Sequence, residues 1–257
     1  MPQLRVRSVG SEGSLREGER WLSAQERAIY ECLAPRRRSG WLAGRLAAKA
    51  LLQEHAERAW GIEVRPWEVE IERTAWGGVR GRILGEPAEG SLSISHWKHQ
   101  GLAGLAGPGE GSLGVDLERR RRLHPRWAER VLHPHERSVL RRIDPLAVWT
   151  LKEAAFKALG PRLGGRAVWT PRALQIVSLV PSAPDSGNDR LRFRAAIRYA
   201  PERGPVSGGQ TLWVSALALR RGAFWVAWAL CPPGPAVSEG PTRAAGGREV
   251  VLPDPGP

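Results

Sequence analysis

The chain has 257 residues, 42% of them hydrophobic, with 12 tryptophans, which suffices to bury the core of one large domain or two small ones and excludes wholesale disorder. No run approaches the roughly 20 apolar residues that span a bilayer, so a soluble protein is expected and a membrane protein is not. A formal charge of +13 predicts attraction to anionic partners, screened by salt.

The only lysines are Lys49, Lys98, Lys152 and Lys157; every other basic residue is arginine. Together with 30 Gly, 21 Pro and many Ala, this points to GC-rich coding, so part of the charge reflects codon supply. The N-terminal stretch has neither an apolar export core nor an amphipathic presequence, and a cytoplasmic protein is expected. Cys32 and Cys231 lack metal or disulfide spacing and are expected to be small buried residues.

In chain order, Leu22 to Leu33 reads as a helix with Ser23 and Glu26 as a capping box. Ser39 to Trp60 reads as a longer helix stopped by Gly61, with Arg45 and Lys49 one turn apart. Alternating runs at 67–72, 91–96 and 101–107 predict strands. A strand at 112–118 then opens a second half with helices near 125–142 and 145–159, the latter capped by Asp144 with Pro145 first. Strands follow near 173–180, 190–199, 211–219 and 223–230. Helices followed by strands, twice over, predict an α+β chain of two similar α/β halves, 1–111 and 112–231. Residues 181–189 and 201–210 read as exposed loops and 232–257 as a Pro- and Gly-rich mobile tail.

Three segments carry chemistry. On the 112–118 strand, Asp116 and Glu118 share one face, which suits a hard divalent cation or neutralisation by Arg119 to Arg122. In the 145–159 helix, Glu153 and Lys157 are neighbours. That pairing is ordinarily a weak surface ion pair, but two of the four lysines, Lys152 and Lys157, fall here, and lysine serves as a point charge for phosphate. At the end of the 91–96 strand, Ser95 and His96 supply donors for a phosphate, with a Ser–His nucleophile as the weaker reading.

The order and spacing of LSAQERAIYECLAPRRRSGWLAGRLAAKALL, RTAWGG, SISH, GVDLE, RWAERVLHPHER and WTLKEAAFK resemble the 4′-phosphopantetheinyl transferases of the larger, surfactin-synthetase-activating type, over roughly residues 20–230. The resemblance implies a pseudo-dimeric fold, monomeric in solution, that transfers the 4′-phosphopantetheine arm of coenzyme A to a serine of an apo acyl or peptidyl carrier protein. Adenosine 3′,5′-bisphosphate is released. It implies Asp116, Glu118 and Glu153 as ligands of Mg²⁺, with Mn²⁺ as the alternative ion. Lys157 and Lys152 would hold coenzyme A phosphates, Ser95 and His96 would meet the nucleotide, and Arg45 and Arg73, with Arg27 and Arg36 behind them, would be further phosphate ligands. Glu153 is the favoured general base.

Two departures stand out: Gly77-Gly78-Val79-Arg80 replaces the family's Gly-Lys-Pro, and Trp97 follows SISH where a small residue is usual, with an expected effect on the nucleotide pocket. The rival class is a nucleic-acid-binding protein, suggested by charge; an acidic carrier explains a basic surface equally well, and no nucleic-acid partner is expected. A non-catalytic coenzyme A-binding relative is the third alternative.

Overall fold

A computed structural model describes residues 2–10, 12–75, 77–124, 126–139, 143–163, 171–182, 192–199 and 212–233. Both segments expected to be loops lie almost wholly outside these residues, as does the tail beyond Pro233.

The architecture is mixed α+β. Strand β1 (Gln3–Ser8) precedes helices α1 (Glu12–Arg20), α2 (Ala24–Cys32) and α3 (Pro35–Trp60). Strands β2 (Val69–Arg73), β3 (Val79–Ile83), β4 (Glu86–Pro87), β5 (Ser91–Trp97), β6 (Gln100–Ala106) and β7 (Ser112–Arg119) follow. Helices α4 (Trp127–Val131), α5 (Pro134–Val139) and α6 (Pro145–Leu163) lead to β8 (Leu174–Ser182), β9 (Arg192–Tyr199), β10 (Leu212–Arg221) and β11 (Phe224–Cys231). The single helix expected near 125–142 is thus two short ones, broken before Pro134, whose ring cannot continue a helix.

Three antiparallel sheets form, ordered β1-β6-β5, β2-β3-β4 and β7-β11-β10-β9-β8. Helix α3 packs on the first two and α6 on the third. Both helices are buried around more than one face, because each serves several layers. Leu42, Ala43 and Leu46 of α3 meet Leu22 and Tyr30, whereas Ala47, Leu51 and Leu52 meet β2, β3 and β6. Cys32 is exposed, contrary to expectation, at the open end of α2; Cys231 is buried.

The predicted capping box forms: the Glu26 N–H donates to Ser23 Oγ (3.3 Å) and the Ser23 N–H to Glu26 Oε2 (3.1 Å). The same carboxylate does more. It receives the Ile71 N–H (3.3 Å) and ion-pairs with Lys49 (2.7 Å), whose ammonium also donates to the carbonyls of Pro66 and Val69. A matching brace sits under α6: Glu136 accepts from the N–H groups of His133 (2.7 Å) and Ile176 (2.6 Å) and from Lys152 Nζ (2.6 Å). Lys49 and Lys152 are both fully buried.

The edge strand β7 meets β5 through side chains. Its Leu113 and Val115 N–H groups donate to Ser91 Oγ (2.9 Å) and Ser93 Oγ (3.0 Å), so a row of serines satisfies an edge that would otherwise lack partners.

Candidate functional site

Gly114 fixes how closely α6 approaches β7. A Cβ there would lie 1.9 Å from the Ala154 carbonyl oxygen and 2.5 Å from the Ala158 nitrogen, so only glycine lets the helix rest on the strand. Two residues on, Asp116 shares that face and comes under the last turns of α6.

Asp116 is 5% exposed. Its Oδ1 accepts from Ser95 Oγ (2.8 Å) and Lys157 Nζ (2.9 Å), and the same ammonium donates to the Val115 carbonyl (2.9 Å). Oδ2 is buried and, among the described residues, has no hydrogen-bond partner. Glu118, further along the strand, accepts from Trp149 Nε1 (3.2 Å) and pairs with Arg121 (2.6 Å). Burial pushes the carboxyl of Glu153 up to about 7; Lys157 opposes the shift, and the charges of Asp116 and Glu118 add to it. The three acids therefore feel one another, with Lys157 among them. Among the described residues they do not stand as a ready-made cage of three ligands, because Asp116 and Glu118 are each turned to a cation.

On β5, His96 feels the charges of Lys157, Arg45 and Asp116 and packs against Gly40 of α3, where a Cβ would come within 3.1 Å of its ring. Burial lowers its pKa from the ordinary value, the two cations lower it further and Asp116 opposes them. Arg45 stacks on Trp41 (4.3 Å), approaches Glu26 (3.7 Å) and is drawn down to about 10, chiefly by burial, with Arg73 close enough to contribute. Arg73 is exposed. A cavity of about 160 Å³ opens beside Lys157, lined among others by Gly77, Gly78, Leu92, Ile94 and Phe156.

The arrangement thus brings together Asp116, Glu153, Lys157, Ser95 and His96, with Glu118 and Arg45 at its margins. It does not bring Lys152. That residue is fully buried, donates to the Val131 carbonyl (3.0 Å) and Glu136, and has no path to a phosphate. Five helical positions place it about 140° around α6 from Lys157. Ser95 donates to Asp116 of β7, while His96 packs on α3; neighbours on a strand point to opposite sides, which speaks against a Ser–His dyad. Arg80 is held by Glu72 (2.6 Å), Arg27 donates to the Glu19 carbonyl (3.0 Å), and Arg36 is exposed. Trp97 turns away from the His96 side, edge-on to Phe224 (6.0 Å) with Arg119 and Lys98 over its ring. Sequence reasoning missed the second duty of Glu26 and all of Glu136; a buried glutamate at the third position of a short helix, followed by a lysine in the next long helix, is the signal both share.

Residues 112–200, about a third of the chain, match the family model of the 4′-phosphopantetheinyl transferase superfamily. The matched stretch contains β7 and α6, and so Asp116, Glu118, Glu153 and Lys157. No curated protein matches the chain. Among the described residues no helix is long and apolar enough to cross a membrane.

Proposed function

We propose that this chain transfers the 4′-phosphopantetheine arm of coenzyme A to a serine hydroxyl of an apo acyl or peptidyl carrier protein. The observation that carries the reading is the bare, buried Oδ2 of Asp116 beside Glu153 and Lys157, in the segment that matches the superfamily.

Asp116, Glu118 and Glu153 would hold the divalent cation, Mg²⁺ or Mn²⁺. The donor set suits a hard ion: all oxygen, with one unpartnered carboxylate oxygen and a second carboxyl whose charge is disfavoured chiefly by burial, with Asp116 and Glu118 adding to it. Bound there, the ion would neutralise the diphosphate of coenzyme A.

The chain's own groups account for the rest. The carrier serine attacks the β-phosphorus, and the bond to the adenosine 3′,5′-bisphosphate side breaks. Lys157 offers a point charge to the phosphate oxygens. Glu153 is the group proposed to take the hydroxyl proton. His96, Arg45 and Arg73 supply donors for the nucleotide phosphates, and the cavity lined by Gly77 and Phe156 has room for part of the pantetheine chain.

The repeated brace of buried lysine, buried glutamate and isoleucine N–H supports reading residues 1–111 and 112–231 as two halves of a pseudo-dimer. A monomer serving an acidic carrier is part of the same proposal, in keeping with the net positive charge. Incubation with coenzyme A, Mg²⁺ and an apo carrier domain should raise the carrier's mass by that of one phosphopantetheine arm. No gain in mass, with salt-sensitive binding to duplex DNA in its place, would reject the reading.

A further inference from the structure

The serine row of β5 changes partner at its last member. Ser91 and Ser93 accept backbone N–H groups of β7, a purely structural use of a hydroxyl. Ser95, 8% exposed on the same face, donates to the side chain of Asp116. Its proton goes to Oδ1, which also takes Lys157 Nζ, and Oδ2 has no partner among the described residues. Two donors on one oxygen and none on the other fix the plane of the carboxylate. They leave one buried oxygen with its lone pairs unspent, at a desolvation cost that binding of a cation would remove.

We propose that Ser95 is a positioning residue for Asp116, holding one carboxylate oxygen so that the other is presented to a divalent cation. The proposal rests on the metal reading above and deepens it: the half of the chain that supplies no acid to the site orients the acid of the other half. Ser95 acts through Asp116, so it touches neither cation nor substrate.

The test uses Mn²⁺ alone, titrated into the full chain and followed by the paramagnetic resonance of the free ion, without coenzyme A or carrier. Ser95→Ala should weaken Mn²⁺ binding by about tenfold, the low end of what loss of an outer hydrogen bond to a metal ligand costs. Ser95→Thr, which keeps the hydroxyl, should bind as the unsubstituted chain does. Ser93→Ala, which removes a serine of the same row that never meets the carboxylate, should lower thermal stability and leave Mn²⁺ affinity unchanged. Should Ser95→Ala fail to fold, Ser95→Cys, similar in shape and a poor donor, carries the same expectation.

Unaltered affinity in Ser95→Ala or Ser95→Cys, or an equal loss in Ser93→Ala, overturns the proposal while leaving the metal set standing. Absence of any Mn²⁺ uptake by the unsubstituted chain removes the metal set, and the role of Ser95 with it.

Discussion

Helices α3 and α6 rest on the same device and put it to different ends. Under each, a fully buried lysine meets a glutamate from a preceding short helix, and that glutamate also takes an isoleucine N–H from a following strand. Beyond the brace the helices diverge. The residues one and five positions after Lys152 are Glu153 and Lys157, which converge on Asp116; those after Lys49 are Ala50, in the core, and Glu54, which pairs with Arg5. The repeated brace belongs to the architecture and the divergent face carries the residues proposed for chemistry, so Lys152, although it adjoins Glu153 in sequence, sits in the brace.

The comparison breaks most sharply at the braces. Lys152→Met leaves the buried Glu136 without its cation and should cost about 3–5 kcal/mol in denaturant unfolding; Lys49→Met, which leaves Glu26 with Arg45 at 3.7 Å, should cost less. The double change Lys152→Met with Glu136→Leu should recover only part of the loss, since it removes the unpaired charge but leaves the His133 and Ile176 N–H groups without their acceptor. Asp116→Ala should lower carrier modification by about 100-fold or more while the thermal midpoint holds, the reverse of the brace variants. Lys157→Ala should raise the coenzyme A concentration needed for half-maximal transfer by about tenfold, as loss of one charge-assisted contact does. An unchanged value would return Lys157 to the braces' side of the comparison.

The smallest effect concerns pH. The free His96 ring titrates below its ordinary 6.5, mainly through burial, and a bound phosphate dianion favours the protonated form. Coenzyme A binding should therefore tighten as pH falls through that range and lose the gain as pH rises through the pKa of the complex. His96→Asn should flatten the profile by a few-fold in affinity, measured calorimetrically between pH 5 and 8.

Much of this was legible in residue order. Capping by Ser23 and Glu26, the stop at Gly61 and the Asp144–Pro145 start all rest on local chemistry, and they form as expected; the Leu146 N–H donates to Asp144 Oδ1 at 3.0 Å. Strands β5 and β7 follow from alternation, whereas β6, QGLAGLA, is buried on both faces. In strand β1, Leu4 and Val6 alternate with Arg5 and Arg7, a short pattern that acquires meaning only when β6 lies beside it. Helix α1 has a single apolar anchor, Leu15, and Gly18, which admits the side chains of Leu42 and Leu46; its stability is tertiary. At the site, helical spacing placed Glu153 beside Lys157 but was not carried through to separate Lys157 from Lys152. The partner of Ser95 was beyond reach, because it depends on a contact between two sheets whose strands are 21 residues apart in sequence.

One hydrogen atom at position 114 decides how near Glu153 and Lys157 come to Asp116. A methyl in its place would act as a wedge between helix and strand, pressing Glu153 and Lys157 away from Asp116.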